Sequence, residues 1–224
     1  MKVPYINLAA QHIPIMSELL AEVESVLKTG QFILGKTVAD FEKKFAEICG
    51  ANYAIGVANG TDALVLALKV AGIKAGDEVI TAPNSFLASA SSIALAGAIP
   101  VFADVRDDFN IDPEQIKKLI GPKTKAIMPV HLTGRPADMD AIMDIANAHN
   151  LIVIEDAAQA VGASYGNKKV GSIGHLACFS LHPLKNLSAA GDGGVITTNN
   201  QLYYEKLMIM RNHGLKNRDE CVYW

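Results

Sequence analysis

The sequence predicts an α/β fold built on one mostly parallel seven-stranded sheet flanked by helices, and three observations predict it. From Ala54 onward, short runs rich in β-branched residues alternate with helical patterns, the rhythm of βαβ units. The intervening stretches carry apolar residues at three- and four-residue spacing, and several close on Gly or Asn, as helix C-termini do. Half of the 224 residues are hydrophobic, enough to bury the core of one good-sized domain, so length alone does not demand two.

In chain order, IMSELLAEVESVLKTG and KTVADFEKKFAEICG are amphipathic helices joined by QFILG. Together they make an N-terminal helical segment, residues 1–53, expected to pack on a large domain of residues 54–224. The expected strands are 54–59, 78–83, 100–105, 126–132, 151–157, 177–181 and 194–199. Between them, DALVLALKVAG, FLASASSIALAG, DPEQIKKLIG and ADMDAIMDIANAHN read as crossover helices, and LYYEKLMIMRNHG as a last helix before a polar tail. No internal repeat, low-complexity tract or linker interrupts the pattern.

Composition excludes several classes of function. No stretch approaches the roughly 18 apolar residues of a membrane span, and MKVPYINLAAQ lacks the layout of an export signal, so the expected location is the cytoplasm. A net charge of -3 with mixed signs leaves no footprint for a nucleic-acid backbone or an anionic membrane. Cys49, Cys178 and Cys221 form no paired spacing, which argues against both a disulfide framework and a metal cage. No GxGxxG follows the first strand, which sets aside a dinucleotide oxidoreductase. A small-molecule ligand is expected.

In open α/β sheets, ligands bind at the carboxyl ends of the strands. After the first strand, Asn59-Gly60-Thr61-Asp62 opens a helix, an arrangement that offers free N–H groups to a phosphate but also reads as a plain N-cap. Glu155-Asp156 puts carboxylates at the end of an apolar strand, costly if buried without a cation, ordinary if it faces water. After the sixth strand come Ser180, His182 and Lys185-Asn186, then the turn Gly191-Asp192-Gly193-Gly194; a lone lysine is usually a solvated surface group. Taken together, the pieces ask for a ligand with a phosphate, a protonatable ring nitrogen and an electrophilic carbonyl. Pyridoxal phosphate (PLP) has all three.

INLAAQH, QFILG, FEKKFAEICG, NGTDALVLAL, GDEVITAP, IMPVHLTG, IEDAAQAVGA, VGSIG, FSLHPLKN and GDGGVITTN, in that order from Pro4 to Trp224, resemble the DegT/DnrJ/EryC1/StrS family of PLP-dependent sugar aminotransferases. The resemblance implies the type I aminotransferase large domain and transfer of an amino group, with glutamate as the expected donor, to a nucleotide-linked keto-sugar in amino-sugar and polysaccharide biosynthesis. It implies that Lys185 is the Schiff-base lysine, with Asn186 next to it in the Ser-x-x-Pro-x-Lys-Asn motif, and that Asp156 partners the ring nitrogen. Ser180 and the backbone of Gly60, Thr61 and Asp62 are then phosphate ligands, Gln159 lies beside the phenolic oxygen, and Phe86 stacks on the ring, although an aromatic at a strand end also fits a core. Gln159, where some members have His, favours a 3-keto over a 4-keto sugar.

Thr133, Ser85, Leu181 and Ser188 depart from the commoner pattern without removing a catalytic group. Lys185 argues against the dehydratase branch, which carries histidine there. Members continue past Tyr223-Trp224 into a Gly-x-Asn-x-Arg segment, whose Asn reaches the cofactor phosphate of the partner in a homodimer, and then into a small C-terminal domain. Since this chain lacks both, it is expected to be a truncated large domain that binds PLP weakly and does not turn over alone; a catalytically silent module of the same fold is the rival from another class.

Overall fold

The computed structural model describes residues 3–217 and 219–222; Tyr223 and Trp224, where the resemblance ends, lie outside the described residues. The chain divides into two compact units, residues 1–41 and 42–224. In the first, α1 (Leu8–His12) starts where the Asn7 side chain accepts from Ala10 N–H, and α2 (Met16–Thr29) stops at Gly30, whose positive φ of 66° lets its N–H close on Val26. Helix α3 (Lys36–Cys49) runs across the division. The second unit begins within it, where Glu42, Phe45, Ala46 and Cys49 are buried; Phe45 meets Phe179 edge-on at 5.1 Å.

The second unit is an α/β/α sandwich. Its strands are β1 (Tyr53–Val57), β2 (Glu78–Thr81), β3 (Ile99–Phe102), β4 (Thr124–Met128), β5 (Ile152–Asp156), the short pair β6 (Ser164–Tyr165) and β7 (Lys168–Lys169), β8 (Leu176–Ser180) and β9 (Gly194–Thr198). Seven of them form one sheet in the order β1-β9-β8-β5-β4-β2-β3. Only β9 is antiparallel to its neighbours; the other pairs are parallel. All seven expected strands are therefore present and mostly parallel. The β6–β7 hairpin was not expected, since two-residue strands leave no readable alternation; its turn at Gly166 has φ 56°.

Helices α4 (Gly60–Val70), α5 (Leu87–Leu95), α6 (Pro113–Leu119), α7 (Met139–His149) and α8 (Gln201–Met210) are the crossovers and the last helix. Period-two alternation divides the core between the sheet's faces. Val79, Met128 and Ile154 join a cluster with Leu64, Leu68, Ile93 and Leu207 of α4, α5 and α8, while Ile80, Ile127 and Val153 join one with Ile116 of α6 and Ile142 of α7. The expected ends at 83, 105 and 132 are replaced by Thr81, Phe102 and Met128. Pro83 and Pro129 supply no N–H for a ladder, so the chain leaves the sheet there as loop. No helix among the described residues is long and apolar enough to cross a membrane.

Candidate active site

Because β9 alone is reversed, the carboxyl ends of the six other strands and the first residue of β9 share one edge of the sheet. There a cleft of about 490 Å³ opens. Its walls bring together Gly60, Thr61, Phe86, Asp156, Gln159, Ser180 and Lys185 among the residues singled out from sequence. Asp62 and Asn186 are not in the lining: Asp62 N–H is taken by the Asn59 side chain at 2.8 Å, and Asn186 Nδ2 donates to the Val161 carbonyl at 2.9 Å.

The cradle at the start of α4 depends on two glycines. In register, Val57 and Ser180 both face Gly194, one from each neighbouring strand. A Cβ at Gly60 would lie 2.7 Å from Ser180 Cβ, and one at Gly194 would overlap the Asn59 carbonyl, so only glycine lets the turn after β1 sit on the end of β8. Asn59 caps the helix through Asp62, which leaves the N–H groups of Gly60 and Thr61 without a helical partner at the positive end of the dipole. Ser180 Oγ accepts from His182 N–H at 3.3 Å and keeps its own proton to donate. The set can hold an anion.

Lys185 stands in a loop folded on itself. Its N–H bonds the His182 carbonyl at 2.8 Å, and Leu184 N–H donates to His182 Nδ1 at 3.2 Å. Asp156 is buried at 5 % exposure. Its Oδ2 accepts from Ser89 Oγ at 2.6 Å and its Oδ1 from Ala158 N–H at 3.2 Å. Burial pushes the Asp156 carboxyl above its usual range, while the two hydrogen bonds and the charge of Lys185 pull it back. His131, behind the same strand end, accepts from Ala137 N–H at its Nδ1 at 3.1 Å. A buried acid with no bonded cation is matched to a ligand that brings a positive charge.

Gln159 is fixed by Thr133 N–H, which donates to Oε1 at 2.6 Å; Thr133 sits at φ 55°, so the turn is held in a conformation a β-branched residue seldom adopts. Phe86 is 76 % exposed on the cleft rim, which answers the alternative that it packs in the core. Sequence reasoning missed Ser89 and His131 in the lining. Ser89 had a signal: it lies in the first turn of the helix that follows Phe86 and is one of three serines in an otherwise apolar helix.

The DegT/DnrJ/EryC1/StrS aminotransferase family model matches residues 14–224. A pleiotropic regulatory protein of Geobacillus stearothermophilus is 48 % identical over 217 residues, covering 96 % of this chain and 58 % of the relative. The dTDP-3-amino-3,4,6-trideoxy-alpha-D-glucose transaminase of Streptomyces venezuelae is 40 % identical, covering 97 % of this chain and 58 % of its own length. Among solved structures, S. venezuelae DesV in complex with a ketimine intermediate superposes with a TM-score of 0.96 at 40 % identity, covering 99 % of this chain and 60 % of that one. The chain thus spans somewhat under two thirds of these relatives, and it belongs to the DegT/DnrJ/EryC1/StrS aminotransferase family.

Proposed function

We propose that this chain is the cofactor-binding domain of a PLP-dependent aminotransferase that moves an amino group from an amino acid, glutamate by preference, to a nucleotide-linked keto-sugar. The observation that carries it is the meeting, in one cleft, of an amine at Lys185, a buried acid at Asp156 and an anion cradle at Gly60, Thr61 and Ser180. These three groups fit the aldehyde, ring nitrogen and phosphate of PLP. When bound, PLP supplies a carbonyl for Schiff-base chemistry and a ring that takes up electrons.

In this reading the N–H groups of Gly60 and Thr61 and the Ser180 hydroxyl would hold the phosphate, while the Asp62 carboxylate is engaged by the Asn59 amide. Asp156, ionised, holds a proton on the ring nitrogen. The Lys185 amine would hold the aldehyde and, when free, would serve as general base and acid at the reacting carbon. Phe86 covers the ring from the rim. Gln159, with Oε1 engaged by Thr133, would offer its amide N–H to the phenolic oxygen, and we retain the preference for a 3-keto sugar. Asp62 and Asn186 act as supports of the cradle and of the lysine loop. A homodimer completing the site, and a large domain starting near Ala54 with a helical segment before it, belong to the same proposal.

The test is a half-reaction followed by a panel. The chain, alone and extended by the region that its relatives carry beyond it, is loaded with PLP and given glutamate, and conversion to the pyridoxamine form is followed spectrally. The loaded form is then offered nucleotide-linked 3-keto and 4-keto sugars. Amination of at least one is expected from the extended chain; normal PLP binding with no amination of any would contradict the reading.

A further inference from the structure

Ser89 behaves unlike a buried helical serine. Such a serine ordinarily returns its hydroxyl to a carbonyl one turn back, as Ser92 does to the Ser89 carbonyl at 3.1 Å. Ser89, 1 % exposed in the first turn of α5, instead gives its single O–H to Asp156 Oδ2 at 2.6 Å, the length of a hydroxyl bond to a charged oxygen. No side chain caps α5 at Phe86, where the Ser89 N–H closes on the Phe86 carbonyl at 3.1 Å, and the positive end of the helix opens on the same wall of the cleft through Ala88 and Ser89. The other titratable groups facing Asp156 are Lys185 from the loop after β8, His131 from the loop after β4, and the buried Cys178 thiol on β8. Among the described residues, none of these side chains is hydrogen-bonded to the carboxylate.

We propose that Ser89 is a positioning residue for Asp156: its hydroxyl pins one carboxylate oxygen, favours the ionised form, and leaves the free lone pairs directed to the ring nitrogen of the bound cofactor. The inference rests on the PLP reading above and is tested in a way that separates the two. In the ligand-free chain, the Asp156 carboxyl is titrated by carbon-13 NMR, its signal identified by its loss in Asp156→Asn. In parallel, affinities are measured for PLP and for its 1-deaza analogue, which lacks the ring nitrogen.

In Ser89→Ala the Asp156 titration moves to higher pH, and the preference for PLP over the deaza analogue falls about tenfold. Ser89→Thr restores both, and Ser92→Ala, an equally buried serine that does not touch Asp156, moves neither. Ser89→Cys, nearly isosteric and a weak donor, should behave as Ser89→Ala and serves if that variant fails to fold. An unchanged Asp156 titration, or an equal loss of affinity for both compounds, overturns the proposal. Failure of the wild-type chain to bind either compound removes the cofactor reading, while the titration still decides whether Ser89 governs the carboxylate.

Discussion

Glu155 and Asp156 are adjacent acids at the end of one strand, yet the pleat sends them to opposite faces of the sheet and to different work. Glu155, 0 % exposed, is saturated from within: it accepts from Gly171, Ile173 and Gly174 N–H at 3.3, 3.1 and 2.7 Å, and from His131 Nε2 at 3.0 Å. The Ala137 N–H on Nδ1 fixes the tautomer that makes His131 the donor. Asp156 has two donors, a cleft in front of it and a carboxyl pushed up by burial. A satisfied buried acid stabilises a fold. One left partly unsatisfied at a cleft is held ready for a ligand, and the neighbour one residue away shows that this fold can satisfy an acid when nothing else is asked of it.

The contrast breaks most visibly under substitution. Asp156→Asn should leave the fold intact and slow amino-group transfer by about a hundredfold or more, because a preorganised charge of this kind is worth roughly 3 to 4 kcal/mol at the reacting centre; steady-state rates with the preferred keto-sugar check this, and near-normal turnover would make Asp156 a mere strand-end charge. Glu155→Ala should do the reverse. It strands several buried donors and is expected to cost about 3 kcal/mol of stability, read as a lower urea midpoint at unchanged slope. An Asp156→Asn variant that unfolded more readily than Glu155→Ala would invert the assignment.

The smallest effect sharpens the comparison through pH. Because burial raises the Asp156 carboxyl in the folded, ligand-free chain, the folded state holds its proton to higher pH than the unfolded chain. That contribution to stability is fully present below the ordinary aspartate range and is lost as pH rises through the folded value. Asp156→Asn should therefore gain stability relative to wild type on the alkaline side of that window and show no such gain on the acid side. Paired denaturation curves across acidic and neutral pH measure it; parallel pH profiles for the two proteins would show that the acid is as well solvated folded as unfolded.

This division of labour was only half legible in the sequence. The seven strands, the crossover helices and the polar residues closing each strand follow from local pattern, whereas the roles of Lys185, Asp156, Ser180 and the Gly60–Thr61 turn came from the family resemblance. Which of the two acids would face the cleft was not derivable from residue types, since it depends on the phase of the pleat at the strand end. Ser89 and His131 were missed because each reaches its acid from a segment far away in the chain, and long-range hydrogen bonds leave no spacing to read. Asp62 was assigned to the phosphate, whereas its N–H goes to Asn59; an Asn before Gly is itself an N-cap signal, and the two readings compete for one donor. The N-terminal helices were legible as amphipathic, yet no residue of α2 is buried, so amphipathicity alone did not say what its apolar face meets.

The central claim, that PLP is held at Lys185 with Asp156 behind the ring, is tested most directly by trapping. The chain is incubated with excess PLP, reduced with borohydride, digested, and mapped by mass spectrometry, beside Lys185→Ala and Asp156→Asn treated in the same way. The account predicts a phosphopyridoxyl group on Lys185, its absence from that site in Lys185→Ala without transfer to another single lysine, and its persistence in Asp156→Asn. Label on a different lysine in the wild-type chain, or equal labelling of Lys185→Ala, would contradict it.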